Sequence, residues 1–206
     1  MRTLVRIATG KSLLVVVIVT LGISNLGAQT VSGTSSERGP VEYRVLATNR
    51  TSTMDKELNE AAEAGFQFRA VMGGETAFGG SEVVVVMSRS PQAAGRFAYR
   101  LLATNRTSTM QKEIQEAADA GYEYRGQTVF KSAFGGEEVV CILERDNDAK
   151  GKTSEYRLLA TSRTATLQNE LLETGAAGFE VVGMTVAQTA LGGKELVVIA
   201  RRARLQ

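Results

Sequence analysis

Histidine and tryptophan are absent from this 206-residue chain, cysteine occurs once, and aromatic residues make up 6%. Without His, and with one Cys, ordinary zinc and haem ligand sets and the Ser-His-Asp triad have nothing to be built from. A lone thiol forms no intramolecular disulfide, so the fold must stand on packing alone. Cys141 lies within Val139-Val140-Cys141-Ile142-Leu143, where it reads as a small buried hydrophobe and not as a nucleophile. So few aromatics, placed mainly at strand starts, give no stacking platform for nucleic acid. The chain also has no GxGxxG fingerprint, P-loop, CxxC or HExxH pattern, so no cofactor and no metal are expected.

An excess of one charge is lacking too. The formal charge is +2, but Arg2, Arg6 and Lys11 stand in a stretch without acidic residues, and the remainder carries a net −1. That composition argues against a sequence-wide polyanion binder. Those three charges, the apolar run Leu13 to Leu21 and the small pair Gly27-Ala28 read as a signal peptide over residues 1–28. An uncleaved anchor helix is the alternative, but the run is short for a hydrocarbon core about 30 Å thick. The chain is therefore expected to be periplasmic or secreted, with no membrane span after cleavage. Residues 29–42, rich in Ser, Thr and Gly, read as a disordered N-terminal segment.

What the sequence does contain is repetition. Residues 43–89, 99–145 and 156–202 align without a gap, the first two at 27 of 47 positions and the last two at 25 of 47. Such identity makes the repeat the unit of structure. Residues 90–98 and 146–155 are polar linkers containing Pro91, Gly95 and Gly151.

Each copy reads as strand, helix, strand, strand. A first strand such as Tyr99-Arg100-Leu101-Leu102-Ala103-Thr104 precedes a helix whose start resembles a capping box, Ser52 with Asp55 and Ser108 with Gln111. Met54, Leu58, Ala61 and Ala62 recur at helical spacing, as do Met110, Ile114, Ala117 and Ala118. Gly65, Gly121 and Gly178 are expected to end the helices. The second strand opens on Phe66, Tyr122 or Phe179 and runs to a hairpin at Gly79-Gly80, Gly135-Gly136 or Gly192-Gly193. A third strand follows each pair, and Val83 to Met87, Val139 to Leu143 and Leu196 to Ala200 are continuously apolar, the signature of a strand covered on both faces. A unit of this size is marginal alone. The fold class predicted is α+β: three βαββ repeats whose small sheets face a shared core with helices outside, in approximate pseudo-threefold arrangement. Independent beads would leave three apolar faces in water.

The third copy resembles the bacterial domain-of-unknown-function family 4177. The residues concerned are Tyr156-Arg157-Leu158-Leu159, Leu167 and Leu171, Gly175-Ala176-Ala177-Gly178-Phe179-Glu180, and the apolar run from Leu196 ending at Arg201. The first two copies depart from the pattern at Ala61 and Ala117 and at Arg69 and Arg125, and Phe66, Tyr122 and Phe179 stand where that family usually has Trp. The resemblance implies the βαββ unit and no catalytic residue.

The most repeated segment, Ala47 to Met54, is identical at Ala103 to Met110 and nearly so at Ala160 to Leu167. It falls at the strand-to-helix junction, where free N–H groups and the helix dipole favour an anion. Arg50, Arg106 and Arg163 with Thr51, Thr107 and Thr164 are thus the candidate ligand-binding residues, for a carboxylate, sulfate or phosphate on a small molecule or glycan. The bland alternative is helix capping, with each Arg pairing a nearby carboxylate. Asn49-Arg50-Thr51 and Asn105-Arg106-Thr107 are also glycosylation sequons, discounted because the resemblance is bacterial. Arg44, Arg100 and Arg157 converge into a basic ring or, by strand alternation, point to solvent. Glu82, Glu138 and Glu195 read as hairpin-edge charges.

The function expected is an exported, non-catalytic binding or envelope-associated repeat protein. One alternative is a small-molecule enzyme with a Tyr/Arg/Glu site between repeats. Another is a purely structural, self-associating protein.

Overall fold

The computed structural model describes residues 40–76, 80–90, 95–131, 137–149, 153–188 and 193–204. The leader and most of residues 29–42 lie outside this set, as do Gly79, Gly135, Gly136 and Gly192 of the expected hairpins. Three α+β repeats are present. The first comprises β1 (Glu42–Thr48), α1 (Thr51–Glu63), β2 (Gln67–Thr76) and β3 (Gly80–Arg89). The second comprises β4 (Phe97–Thr104), α2 (Thr107–Asp119), β5 (Glu123–Lys131) and β6 (Glu137–Asp146). The third comprises β7 (Ser154–Thr161), α3 (Thr164–Ala176), β8 (Glu180–Gln188) and β9 (Lys194–Ala203). Each sheet is antiparallel, with the last strand in the middle: β1-β3-β2, β4-β6-β5 and β7-β9-β8. The central position accords with the apolar inner run of each third strand, Val83 to Met87, Val139 to Leu143 and Leu196 to Ala200.

The helices form for the reasons their spacing implies. Met54, Leu58, Ala61 and Ala62 of α1 are buried, as are Met110, Ile114, Ala117 and Ala118 of α2. Each helix ends on a glycine with positive φ, 84° at Gly65 and Gly121 and 79° at Gly178. There the Gly65 N–H donates to the Ala62 carbonyl and the Phe66 N–H to the Ala61 carbonyl, both at 2.9 Å, which satisfies the last carbonyls of the helix. The aromatic after each glycine is therefore fixed by the helix end as well as by the strand it opens.

The repeats dock in series, where the sequence predicted approximate threefold packing about one core. One core joins Met54, Leu58, Val83, Val85 and Met87 of the first repeat to Tyr99, Val140 and Ile142 of the second. A separate core joins Met110, Ile114, Val139, Cys141 and Leu143 of the second to Tyr156, Val197 and Ile199 of the third. The physical reason is that the two faces of a sheet differ. One carries the repeat's own helix; the other has none. The helix-side face of each repeat receives the helix-free face of the next, so the contact is head-to-tail.

Two polar devices fix this docking. Edge strand β4 is closed by α1: the Asn59 side chain accepts from the Tyr99 N–H (2.9 Å) and donates to its carbonyl (3.1 Å), while Asp55 accepts from the Leu101 N–H (2.8 Å). Gln111 and Gln115 of α2 do the same for β7, accepting from the N–H groups of Leu158 (2.7 Å) and Tyr156 (3.0 Å). Side chains thus complete what would otherwise be an open sheet edge. The second device is a β-bulge. The ladder of β2 with β3 shifts between Phe68 and Ala70, and that of β5 with β6 between Tyr124 and Gly126. Beside the bulge, the Phe68 N–H donates to the Tyr99 hydroxyl and the Tyr124 N–H to the Tyr156 hydroxyl, each at 2.8 Å.

Candidate functional site

Arg50, Arg106 and Arg163 are the N-cap residues of the three helices, in extended conformation with φ of −129°, −120° and −122°. Thr51, Thr107 and Thr164 are the first helical residues. The backbone N–H of each Arg donates to the hydroxyl of the last strand residue, Thr48 (3.2 Å), Thr104 (3.1 Å) or Thr161 (3.3 Å). That local turn, in which a strand-end hydroxyl holds the chain two residues on, sets the geometry of the junction. Sequence reasoning passed over these threonines, although their recurrence just before Asn-Arg or Ser-Arg was a visible signal.

The expected capping boxes do not form. No N-cap makes a side-chain hydrogen bond, and the first turn of each helix has no acidic residue. Asp55 and Gln111 point instead to the edge strand of the following repeat, a demand that only tertiary structure creates. The first-turn N–H groups are left without a side-chain acceptor and the positive end of the dipole without a compensating carboxylate. Arg50, Arg106 and Arg163 are exposed, and among the described residues none forms an ion pair. The nearby acid that the capping alternative expected each Arg to pair with is therefore missing at all three among the described residues.

The three junctions remain separate, one per repeat. Around Thr104 to Thr107 a cleft opens at the seam between the second and third repeats, closed on the far side by Leu158, Ala187 and Val197. Its volume of about 10 Å³ is room for roughly one water molecule. A pocket for a small organic substrate is typically about 300 Å³ or more, so the junction suits a group held at the surface.

Tyr, Arg and Glu do meet, but all three belong to the second repeat, and the first repeat reaches them through the Phe68 N–H. Glu144 is buried; its carboxylate accepts from the Tyr99 hydroxyl at 2.5 Å and from Arg125 Nε at 2.8 Å. Burial, and then the bond to Glu144, push the Tyr99 hydroxyl pKa well above its ordinary value. The Tyr99 oxygen is engaged twice, by Glu144 and by the Phe68 N–H. The cluster is saturated by its own partners and presents no reactive atom to a cavity. Its role is to hold the first two repeats together. Cys141 is wholly buried, and burial raises its thiol pKa.

The remaining arginines neither converge nor simply face water. Arg44 and Arg89 lie over the Phe66 ring, at 4.5 and 4.8 Å from its centroid, and Arg157 and Arg202 over Phe179, both at 4.5 Å. Arg100 and Arg145 flank Tyr122 at 5.1 and 4.9 Å. Stacking on a ring is common to all six, and Arg89 and Arg202 also pair with Glu42 and Glu155, at 2.8 and 2.6 Å. Among the described residues no group of three or more His, Cys, Asp or Glu side chains is placed to hold a metal ion. No helix among them is long and apolar enough to cross a membrane. Family models, curated proteins and solved structures were compared with the chain, and none matches.

Proposed function

We propose that this chain is an exported, non-catalytic binding protein, periplasmic or secreted and of the kind its third repeat resembles. It engages anionic groups at the three strand-to-helix junctions. The observation that carries the reading is the state of Arg50, Arg106 and Arg163: exposed, without an ion pair among the described residues, each at a helix start with no acidic residue in its first turn. A guanidinium beside free N–H groups recognises a carboxylate, sulfate or phosphate by charge-assisted hydrogen bonds. Three such points on one chain favour a polyanion, because successive contacts raise avidity beyond that of one site.

The test is thermal shift with sulfate, polyphosphate and an acidic polysaccharide, at low and at high salt. Wild type is expected to gain about 5 °C at saturating polyanion, and the gain should shrink with added salt. The Arg50→Ala, Arg106→Ala, Arg163→Ala triple variant should lose it while unfolding at the same temperature without ligand. A wild-type protein that none of the three stabilises overturns the reading.

A further inference from the structure

The interface between repeats is built twice, and among the described residues neither half of it is covered at the ends of the series. Of the eight large apolar side chains exposed among the described residues, seven belong to these two ends. Val41, Tyr43 and Val45 lie on or just before β1, and Leu172, Val181, Met184 and Val186 lie on α3 and β8. A scatter of exposed apolar groups is ordinary, but segregation to two faces of known partnership is not.

Equivalent positions make the comparison sharp. Tyr43, Tyr99 and Tyr156 open the three copies. Tyr99 and Tyr156, covered by a preceding repeat, are 3% and 4% exposed, whereas Tyr43 is 67% exposed. Phe68, Tyr124 and Val181 flank the three bulges. The first two, covered by a following repeat, are each 8% exposed, and Val181 is 54% exposed. The bulge itself is kept in β8, between Val181 and Gly183. The Val181 N–H thus occupies the ladder position whose counterparts donate to a tyrosine hydroxyl of the next repeat. Gln168 stands where Asp55 and Gln111 close an edge strand.

We infer that the helix-side face of the third repeat binds the helix-free face of the first repeat of a second copy of this chain. The face at each end is one that the chain already joins to its complement inside the molecule. In this junction Tyr43 takes the place of Tyr99 and Tyr156, its hydroxyl meeting the Val181 N–H, and Gln168 closes the edge of β1 along Tyr43 and Val45. Side-chain volumes agree. A Cβ on Gly183 would come within 2.0 Å of the Tyr124 hydroxyl, and one on Gly126 within 3.1 Å of the Phe68 ring. The first repeat has Ala70 at this position, and opposite it would lie the smaller Val181. A head-to-tail contact of this kind continues from copy to copy, closing into a ring or extending as a filament according to the rotation per junction.

Sedimentation velocity of the purified protein from about 1 µM to about 0.5 mM should show the average mass rising with concentration. Tyr43→Asp and Val181→Glu alter exposed side chains and should leave thermal unfolding unchanged, yet each should weaken self-association at least about thirtyfold. Mixed in equal amounts, the two variants should form a one-to-one dimer and nothing larger, because one contributes only an intact third-repeat face and the other only an intact first-repeat face. A wild-type protein that stays a single chain throughout the range overturns the inference. So does a variant that assembles as strongly as wild type, or a mixture that yields no dimer.

Discussion

Tyr43 and Tyr99 begin segments that share eleven of their first twelve residues, yet one is mostly in water and the other is sealed in a core. The difference lies in what precedes each in space. Tyr99 is met by the Phe68 N–H, by Asn59 and by the apolar side of the first repeat; among the described residues β1 meets no counterpart of that repeat. The same holds along the central strands. Val140, Ile142, Val197 and Ile199 are fully buried, while Val84 and Val86 at matching positions of β3 are only half-buried. Local sequence makes the repeat, and the neighbour decides which of its faces are dry.

That contrast can be broken most severely at Ile142. Removing its buried side chain in an Ile142→Ala variant should cost about 3 kcal/mol by cavity formation. Val86→Ala, at the equivalent half-covered position, should cost about 1 kcal/mol by chemical denaturation. Next comes Gly73, where a Cβ would stand 2.1 Å from the Val129 carbonyl oxygen across the seam, while one on Gly74 meets nothing within 4 Å. Gly73→Ala is expected to destabilise by about 2 kcal/mol and Gly74→Ala to change stability by less than about 0.5 kcal/mol.

Tyr99→Phe leaves the Phe68 N–H and one Glu144 oxygen unpaired and should cost about 1.5 kcal/mol, against no measurable change for Tyr43→Phe. The same seams predict an alkaline limit. Burial raises the hydroxyl pKa values of Tyr99, Tyr124 and Tyr156. The unfolded chain therefore loses these protons near pH 10, before the folded one does. Stability contributed by the neutral tyrosines is complete below that pH and falls as pH rises beyond it, which equilibrium unfolding between pH 8 and pH 11 would reveal. Asn59→Ala, which opens the β4 edge, should cost less than Tyr99→Phe, about 1 kcal/mol. A Tyr99→Phe variant as stable as wild type would show that the seam is held by its apolar contacts alone.

The strand-helix-strand-strand order, the helix-ending glycines and the burial of the third strands were legible because periodicity and glycine placement report local needs. The serial order was not, since nothing in the pattern of Val83 to Met87 says which face of a neighbour it meets. Asp55 and Gln111 misled for a related reason. An amide or carboxylate just beyond a first turn fits a capping pattern equally well whether it turns back on its own helix or reaches an adjoining strand. The Arg-Thr junctions were visible as repeated letters, and the lack of acidic partners around Arg50, Arg106 and Arg163 became apparent only with side chains in place. Double stacking of Arg44 and Arg89 on Phe66 required the pairing of β1 with β3, which brings residues from opposite ends of a copy together.

A module with a plug on one side and a matching socket on the other puts no ceiling on how many can be strung together. A closed trimer of modules would fix the count at three, since a fourth would have nowhere to enter. Here a duplicated copy inserted between two existing ones arrives with both fittings already shaped. Tandem duplication within the gene can therefore lengthen or shorten such a protein without evolving a new surface.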